Sequence, residues 1–272
     1  MASDSELLTF PENVLADGPV RLPIVHRGDG WIALAKPPGI GAGEYGPADR
    51  PGVVRALRTG ISRGGAQYVR LGFKSPVVVH ELDSDLSGIV IVAGNEAATV
   101  RLKQALGSNR LEFVFTVVVA AELDAEAPKE AVCDLPLGFD EAEGRAYVSH
   151  RDGRKASTRF SWRTQAFGHA VWEARTFLPR RDQIRVHAVE SRLWIAGENL
   201  YGNVRPVRPA LLKPRVRKAQ MAEASAYPWP CVHLGEVIVE TPLEPALRLS
   251  APPPKAMESV LRILSGQAAD KI

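Results

Sequence analysis

The chain has 272 residues, 45% of them hydrophobic and 24% charged, with a formal net charge of +3. This is the make-up of a globular protein able to bury a sizeable core, and it excludes a disordered tail, a fibrous repeat and a disulfide-rich scaffold. So small a net charge does not by itself argue for a polyanionic partner, and the placement of the charges matters more than their sum. Two cysteines, Cys133 and Cys231, stand far apart without metal-type spacing and are expected to be reduced thiols. Asp4, Glu6 and Glu12 precede any basic residue, which argues against a signal peptide. No apolar run approaches the roughly 20 residues of a membrane helix, so the cytoplasm is the expected compartment.

Residues 1–20 are acidic and irregular and read as a lead-in, with a folded domain expected over 21–272. Pro23-Ile24-Val25-His26-Arg27 and Trp31-Ile32-Ala33-Leu34-Ala35 predict two strands joined by Gly28-Asp29-Gly30, and Lys36-Pro37-Pro38-Gly39 ends the second sharply. Pro51 to Leu57 suggests a short helix, and Arg58 to Gly65 a basic loop. Glu96 to Leu106 has helix formers at apolar spacing and closes near Gly107. Phe113 to Val119 predicts a central strand.

A turn-rich connection is expected from Ala131 to Val148, then strands over Ser157 to Trp162 and Ala170 to Thr176, and a helix within Arg180 to Val189. Arg205 to Lys218 holds six basic residues, three prolines and no acid, which suits an extended basic loop. Val232 to Val239 predicts a last strand, and Pro252 to Leu264 a helix with prolines at its start. Strands outnumber helices in mixed order, which gives an α+β class with a mostly antiparallel sheet. No repeat and no biased linker divides the chain.

Chemistry concentrates in Val77 to Ala93, where two β-branched runs flank His80-Glu81-Leu82-Asp83-Ser84-Asp85-Leu86-Ser87-Gly88. The middle is too polar to be buried without partners and should be a loop held open at the edge of a core. On these residues alone an ordinary solvated loop is the simpler reading. Leu34-Ala35-Lys36-Pro37-Pro38-Gly39, the His80 to Gly88 stretch, Gln183-Ile184-Arg185-Val186-His187 and Leu200-Tyr201-Gly202 change that. In this order they resemble the RluA-type family of RNA pseudouridine synthases, from about Ile24 to the C-terminal helix. The resemblance implies a single catalytic domain on a bent, mixed, mostly antiparallel sheet, without the S4 module that many members carry. It implies isomerisation of uridine within ribosomal or transfer RNA, the glycosidic C–N bond being replaced by a C–C bond.

By the same resemblance Asp83 is the catalytic aspartate and Arg185 its ion-pair partner. Phe115, His80, Glu81, Ile184 and Arg180 are placed beside the bound uridine. An ionised Asp nucleophile is helped by a nearby guanidinium, and the base must leave the RNA stack to be reached. No cofactor and no metal is expected, and nothing demands more than a monomer. Several positions depart from the family pattern. Glu81 stands where an arginine is usual and Leu86 where a threonine is. Phe113 and Phe115 replace Lys and Tyr, Asp182 falls where a histidine is usual, and Glu198 replaces an aspartate. Phe115 keeps a stacking face but has no hydroxyl for proton transfer.

Other readings weigh less. His80, Asp83 and Ser87 invite a hydrolase triad, but no Gly-x-Ser-x-Gly elbow accompanies them. The basic stretches at 151–163 and 205–218 could hold phosphates. Trp162, Trp172 and Trp194 are better read as core than as base-stacking platforms. The competing class is a protein that has kept the fold and binds RNA without modifying it.

Overall fold

The computed structural model describes residues 6–120, 128–202, 207, 227–240 and 246–266. In chain order the strands are β1 (Leu7–Phe10), β2 (Val20–Gly28), β3 (Trp31–Lys36), β4 (Val77–Val78), β5 (Ser87–Ala93), β6 (Leu111–Val119), β7 (Glu130–Cys133), β8 (Leu137–Asp140), β9 (Arg145–Val148), β10 (Thr158–Ala166), β11 (His169–Thr176), β12 (Val232–Val239) and β13 (Leu247–Ser250). The helices are α1 (Val53–Ser62), α2 (Ala66–Val69), α3 (Glu96–Gly107), α4 (Gln183–Glu190) and α5 (Lys255–Leu264). The class is α+β with mostly antiparallel pairing, as expected.

The chain forms two compact units and passes between them several times. One unit holds Met1–Phe113, Phe177–Pro179 and Leu234–Pro252, and the other holds Val114–Thr176, Arg180–His233 and Pro253–Ile272. So many crossings explain why no linker is visible in the sequence. In the first unit β1, β2, β3, β5 and β12 are successive neighbours, with β4 on β5 and β13 on β12. All seven residues of β5 are buried, as a strand flanked on both sides requires. The β2–β3 hairpin turns on Asp29-Gly30, with Gly30 at φ +73°. Asn95 caps α3 by accepting from the Ala98 amide, which fixes that helix start.

In the second unit β6, β11, β10 and β7 are successive neighbours, and β8 pairs with β9 as a separate hairpin. Helix α5 buries Met257, Val260 and Leu264 on one face. Cys133 and Cys231 are buried free thiols, and burial pushes the Cys231 thiol up to about 12. No helix among the described residues is long and apolar enough to cross a membrane.

The structure departs from the sequence expectations in three places. The lead-in is not wholly irregular: Leu7–Phe10 pair with Val20–Pro23, because Leu8 and Phe10 alternate inward and are buried. Helix α1 runs on through Arg58 to Ser62, with Arg58 on its exposed side bonded to the Pro76 carbonyl, so the basic loop is largely helix. The turn-rich segment holds β7 and the β8–β9 hairpin, whose residues alternate too weakly to stand out. Of the tryptophans, Trp172 is core, whereas Trp162 is half-buried under the Lys129 ammonium. The basic stretch 205–218 lies outside the described residues except Val207.

Candidate functional site

In the first unit, Val77 and Val78 pair with Ala93 and Val92, so β4 and β5 form the hairpin whose loop carries Asp83. Leu82 and Leu86 are buried on either side of the half-buried Asp83 and anchor the loop to the core. The threonine-to-leucine departure at 86 is thus an apolar anchor. Gly88 sits at φ +138°, and a Cβ there would come within 2.4 Å of the Leu234 carbonyl oxygen, so only glycine lets β5 begin here.

The loop backbone is fastened from three directions. The Gly39 amide donates to the Ser84 carbonyl at 2.8 Å. Lys36 Nζ, fully buried at the end of β3, donates to the carbonyls of Leu86 (2.6 Å), Pro37 (3.1 Å) and Ser84 (3.2 Å). Burial pulls the Lys36 ammonium down to about 7, while Asp83 and Asp85 hold it up. Three carbonyl acceptors match three N–H donors, and a neutral amine has only two, so the geometry favours the ammonium over the neutral form that burial favours. The third fastening is His80. Its Nδ1 meets the Glu81 carbonyl at 3.1 Å, and its Nε2 meets the Ile91 amide at 3.3 Å. A carbonyl accepts and an amide donates, so the ring is neutral with its proton on Nδ1. Burial drives it down to about 4. The ring also packs on Phe113 with centroids 4.7 Å apart. With both nitrogens occupied, His80 holds the loop rather than reaching outward. Glu81 is exposed.

In the second unit, Arg185 on α4 is 2% exposed and bound by two carboxylates. Its Nε and Nη2 donate to Glu198 Oε2 and Oε1 at 2.8 and 2.6 Å, and Nη1 donates to Asp182 Oδ1 at 3.1 Å. Glu198 Oε1 also accepts from the amides of Asn199, Leu200 and Tyr201, so one carboxylate closes the turn and grips the guanidinium. Asp182 begins α4 at φ +55°. Asp tolerates this left-handed conformation better than most residues.

Gln183 accepts from the Arg180 amide and donates to the Ser157 carbonyl and to the hydroxyls of Thr158 and Thr176. His187 meets Thr158 Oγ1 and the Leu135 carbonyl, both at 2.9 Å, and so packs α4 against its surroundings. Phe115 and Ile184 are both buried. Arg180 is half-buried with its Nε 3.4 Å from the Lys155 carbonyl, and burial first, then the charge of Arg154, lowers its pKa.

The structure therefore gathers His80, Glu81 and Asp83 on one clamped loop and Arg180, Ile184 and Arg185 on and beside α4. Sequence reasoning gave no role to Lys36, Asp182 or Tyr201 and noted Glu198 only as a departure. A lysine ending an apolar strand before Pro-Pro-Gly was the available signal for the first. The others show only once the chain is folded.

No protein-family model matches the chain. Solved structures place its fold: it covers 89% of this chain and 92% of the human RNA pseudouridylate synthase domain containing 4 protein at a TM-score of 0.65 and 16% identity. The human domain-containing 1 protein aligns over 86% of this chain and 84% of its own at a TM-score of 0.57, also at 16% identity. The fold is that of a pseudouridylate synthase domain.

The sequence likeness points the same way. The chain is 27% identical over 209 residues to RNA pseudouridine synthase 2, chloroplastic, of Oryza sativa subsp. japonica, covering 72% of this chain and 46% of that protein. It is 28% identical over 205 residues to the uncharacterized RNA pseudouridine synthase YlyB of Bacillus subtilis, covering 73% and 65%. To ribosomal large subunit pseudouridine synthase D of Xanthomonas campestris it is 29% identical over 199 residues, covering 71% and 57%. The chain thus spans between 46% and 65% of the length of these relatives.

Proposed function

We propose that this protein isomerises uridine to pseudouridine within RNA, with Asp83 as the nucleophile. The observation that carries the reading is the fastening of the Asp83 loop. Lys36, His80 and Gly39 take up its backbone, and Leu82 and Leu86 anchor it on either side of the aspartate. Such a frame positions a carboxylate closely enough for attack on a bound nucleotide. In the reaction the C1′–N1 bond breaks and C1′–C5 forms, while the proton leaves C5 and N1 takes one up. Atoms and electrons balance within the nucleotide, so no co-reactant is called for.

Arg185 takes the catalytic role the resemblance assigns to it, and Arg180 contributes positive charge toward the RNA. Phe115 and Ile184 give an apolar floor for the base, Phe115 without the hydroxyl that would move a proton. Glu81 is the exposed residue of the loop. The substrate is a uridine in ribosomal or transfer RNA, and the protein acts as a monomer in the cytoplasm.

The test incubates purified wild-type protein and Asp83→Asn with bulk tRNA and rRNA and separates the nucleosides by chromatography. Wild type is expected to form pseudouridine, and the variant to lose at least about 1,000-fold in rate while binding RNA unchanged. Wild-type protein that binds both RNAs and modifies neither would replace this reading with the non-catalytic RNA-binding one.

A further inference from the structure

We propose that Tyr201 is a positioning residue for Arg185, setting the Asp182 carboxylate against the guanidinium and tying that pair to the β8–β9 hairpin. This rests on the reading of Arg185 given above. The Ala146 amide in β9 donates to the Tyr201 hydroxyl at 2.7 Å. An amide can only donate, so the hydroxyl accepts there and keeps its one proton for Asp182 Oδ2, 2.9 Å away. Asp182 Oδ1 in turn accepts from Arg185 Nη1 at 3.1 Å. The chain of bonds runs in one direction, from hairpin amide through phenol to carboxylate, with the guanidinium on the other oxygen.

Three further observations agree. The guanidinium lies over the Tyr201 ring, 5.2 Å from its centre, so one side chain supplies both the seat and the hydrogen-bond donor. Asp182 occupies the N-cap of α4 yet makes no side-chain cap bond. Its carboxylate turns from the usual task of an N-cap aspartate toward Arg185 and Tyr201. Burial, then the Asp182 charge, raises the phenol pKa, so the hydroxyl remains a donor at every working pH. The ring also packs on the cluster of Leu137, Ala146, Ala156 and Val186, which fixes its position.

The experiment compares Tyr201→Phe, Asp182→Asn and the double variant. Tyr201→Phe keeps the ring and deletes the hydroxyl, and Asp182→Asn leaves the phenol to receive the Ala146 amide if the first variant folds poorly. Each single variant is expected to lower kcat for pseudouridine formation about tenfold with KM for RNA unchanged, because the loss lies in orientation rather than binding. The double variant should be no slower than the worse single, since the hydroxyl acts through the carboxylate. Two outcomes overturn the proposal: wild-type kcat in folded Tyr201→Phe, or losses that multiply in the double variant. Should wild-type protein leave RNA unmodified, the reading of the activity falls and the positioning is still decided by NMR. The Arg185 Nη1 protons, which donate to Asp182, should exchange with water faster in Tyr201→Phe than in wild type, and an unchanged rate overturns the proposal.

Discussion

The Asp83 loop and the Arg185 cluster are both polar and both largely removed from water, yet they are built in opposite ways. In the loop the partners bind the backbone: Lys36, His80 and Gly39 take carbonyls and amides, and the Asp83 side chain stays half-exposed. In the cluster the side chains bind each other, Arg185 with Glu198 and Asp182, and Asp182 with Tyr201. The first arrangement presents a half-exposed carboxylate and the second fixes a buried charge. Stability should therefore depend more on the buried charged side chains of the cluster than on the half-exposed carboxylate of the loop.

The largest expected effect tests this contrast. Arg185→Leu would leave the carboxylates of Asp182 and Glu198 buried without their cation, at a cost of about 3–5 kcal/mol. Asp83→Asn, the same removal of one charge at a half-exposed site, should cost less than Arg185→Leu. Urea unfolding of both variants measures the two numbers, and similar losses would break the comparison.

How much of each region could be read in advance follows from the range of its contacts. Strands β5, β6 and β12 are rich in β-branched residues and β3 is apolar up to its last residue, so their burial pattern is local. The Asp83 loop was visible because its polarity contrasts with its neighbours. Its fastening by Lys36 was not, because the bonds join residues 48 and 50 positions apart. Asp182 and Glu198 looked like departures from a motif, and only the fold shows them gripping one guanidinium. The β8–β9 hairpin escaped because strands of four residues with mixed burial carry little period-two signal.

A second effect concerns pH and belongs to the loop alone. His80 titrates near 6.5 when unfolded and is driven to about 4 by burial when folded. Between those values the unfolded chain binds the proton and the folded protein does not, so stability is present above 6.5 and is lost as pH falls toward 4. The swing is about 3 kcal/mol. His80→Gln, which offers an amide donor to Glu81 and an oxygen to the Ile91 amide, should flatten that acid limb in Tm measured from pH 7 to 4. An unchanged slope would assign the limb to other groups and remove His80 as a neutral clamp.

A smaller stability effect than at Arg185 or His80, with a clear functional one, is expected at Lys36. Lys36→Met deletes a buried ammonium, which relieves a desolvation cost, and takes this donor from the carbonyls of Leu86 and Pro37, at about 1–3 kcal/mol each, while Ser84 keeps the Gly39 amide. The two terms oppose, so the net loss should be about 2 kcal/mol, well below that of Arg185→Leu. Activity should fall further than that loss implies, about 100-fold at a temperature where the variant is fully folded, because the released segment, Ser84 to Leu86, directly follows Asp83. If folded Lys36→Met makes pseudouridine at the wild-type rate, the frame around the aspartate is scaffolding only, and the loop and the cluster differ in construction without differing in purpose.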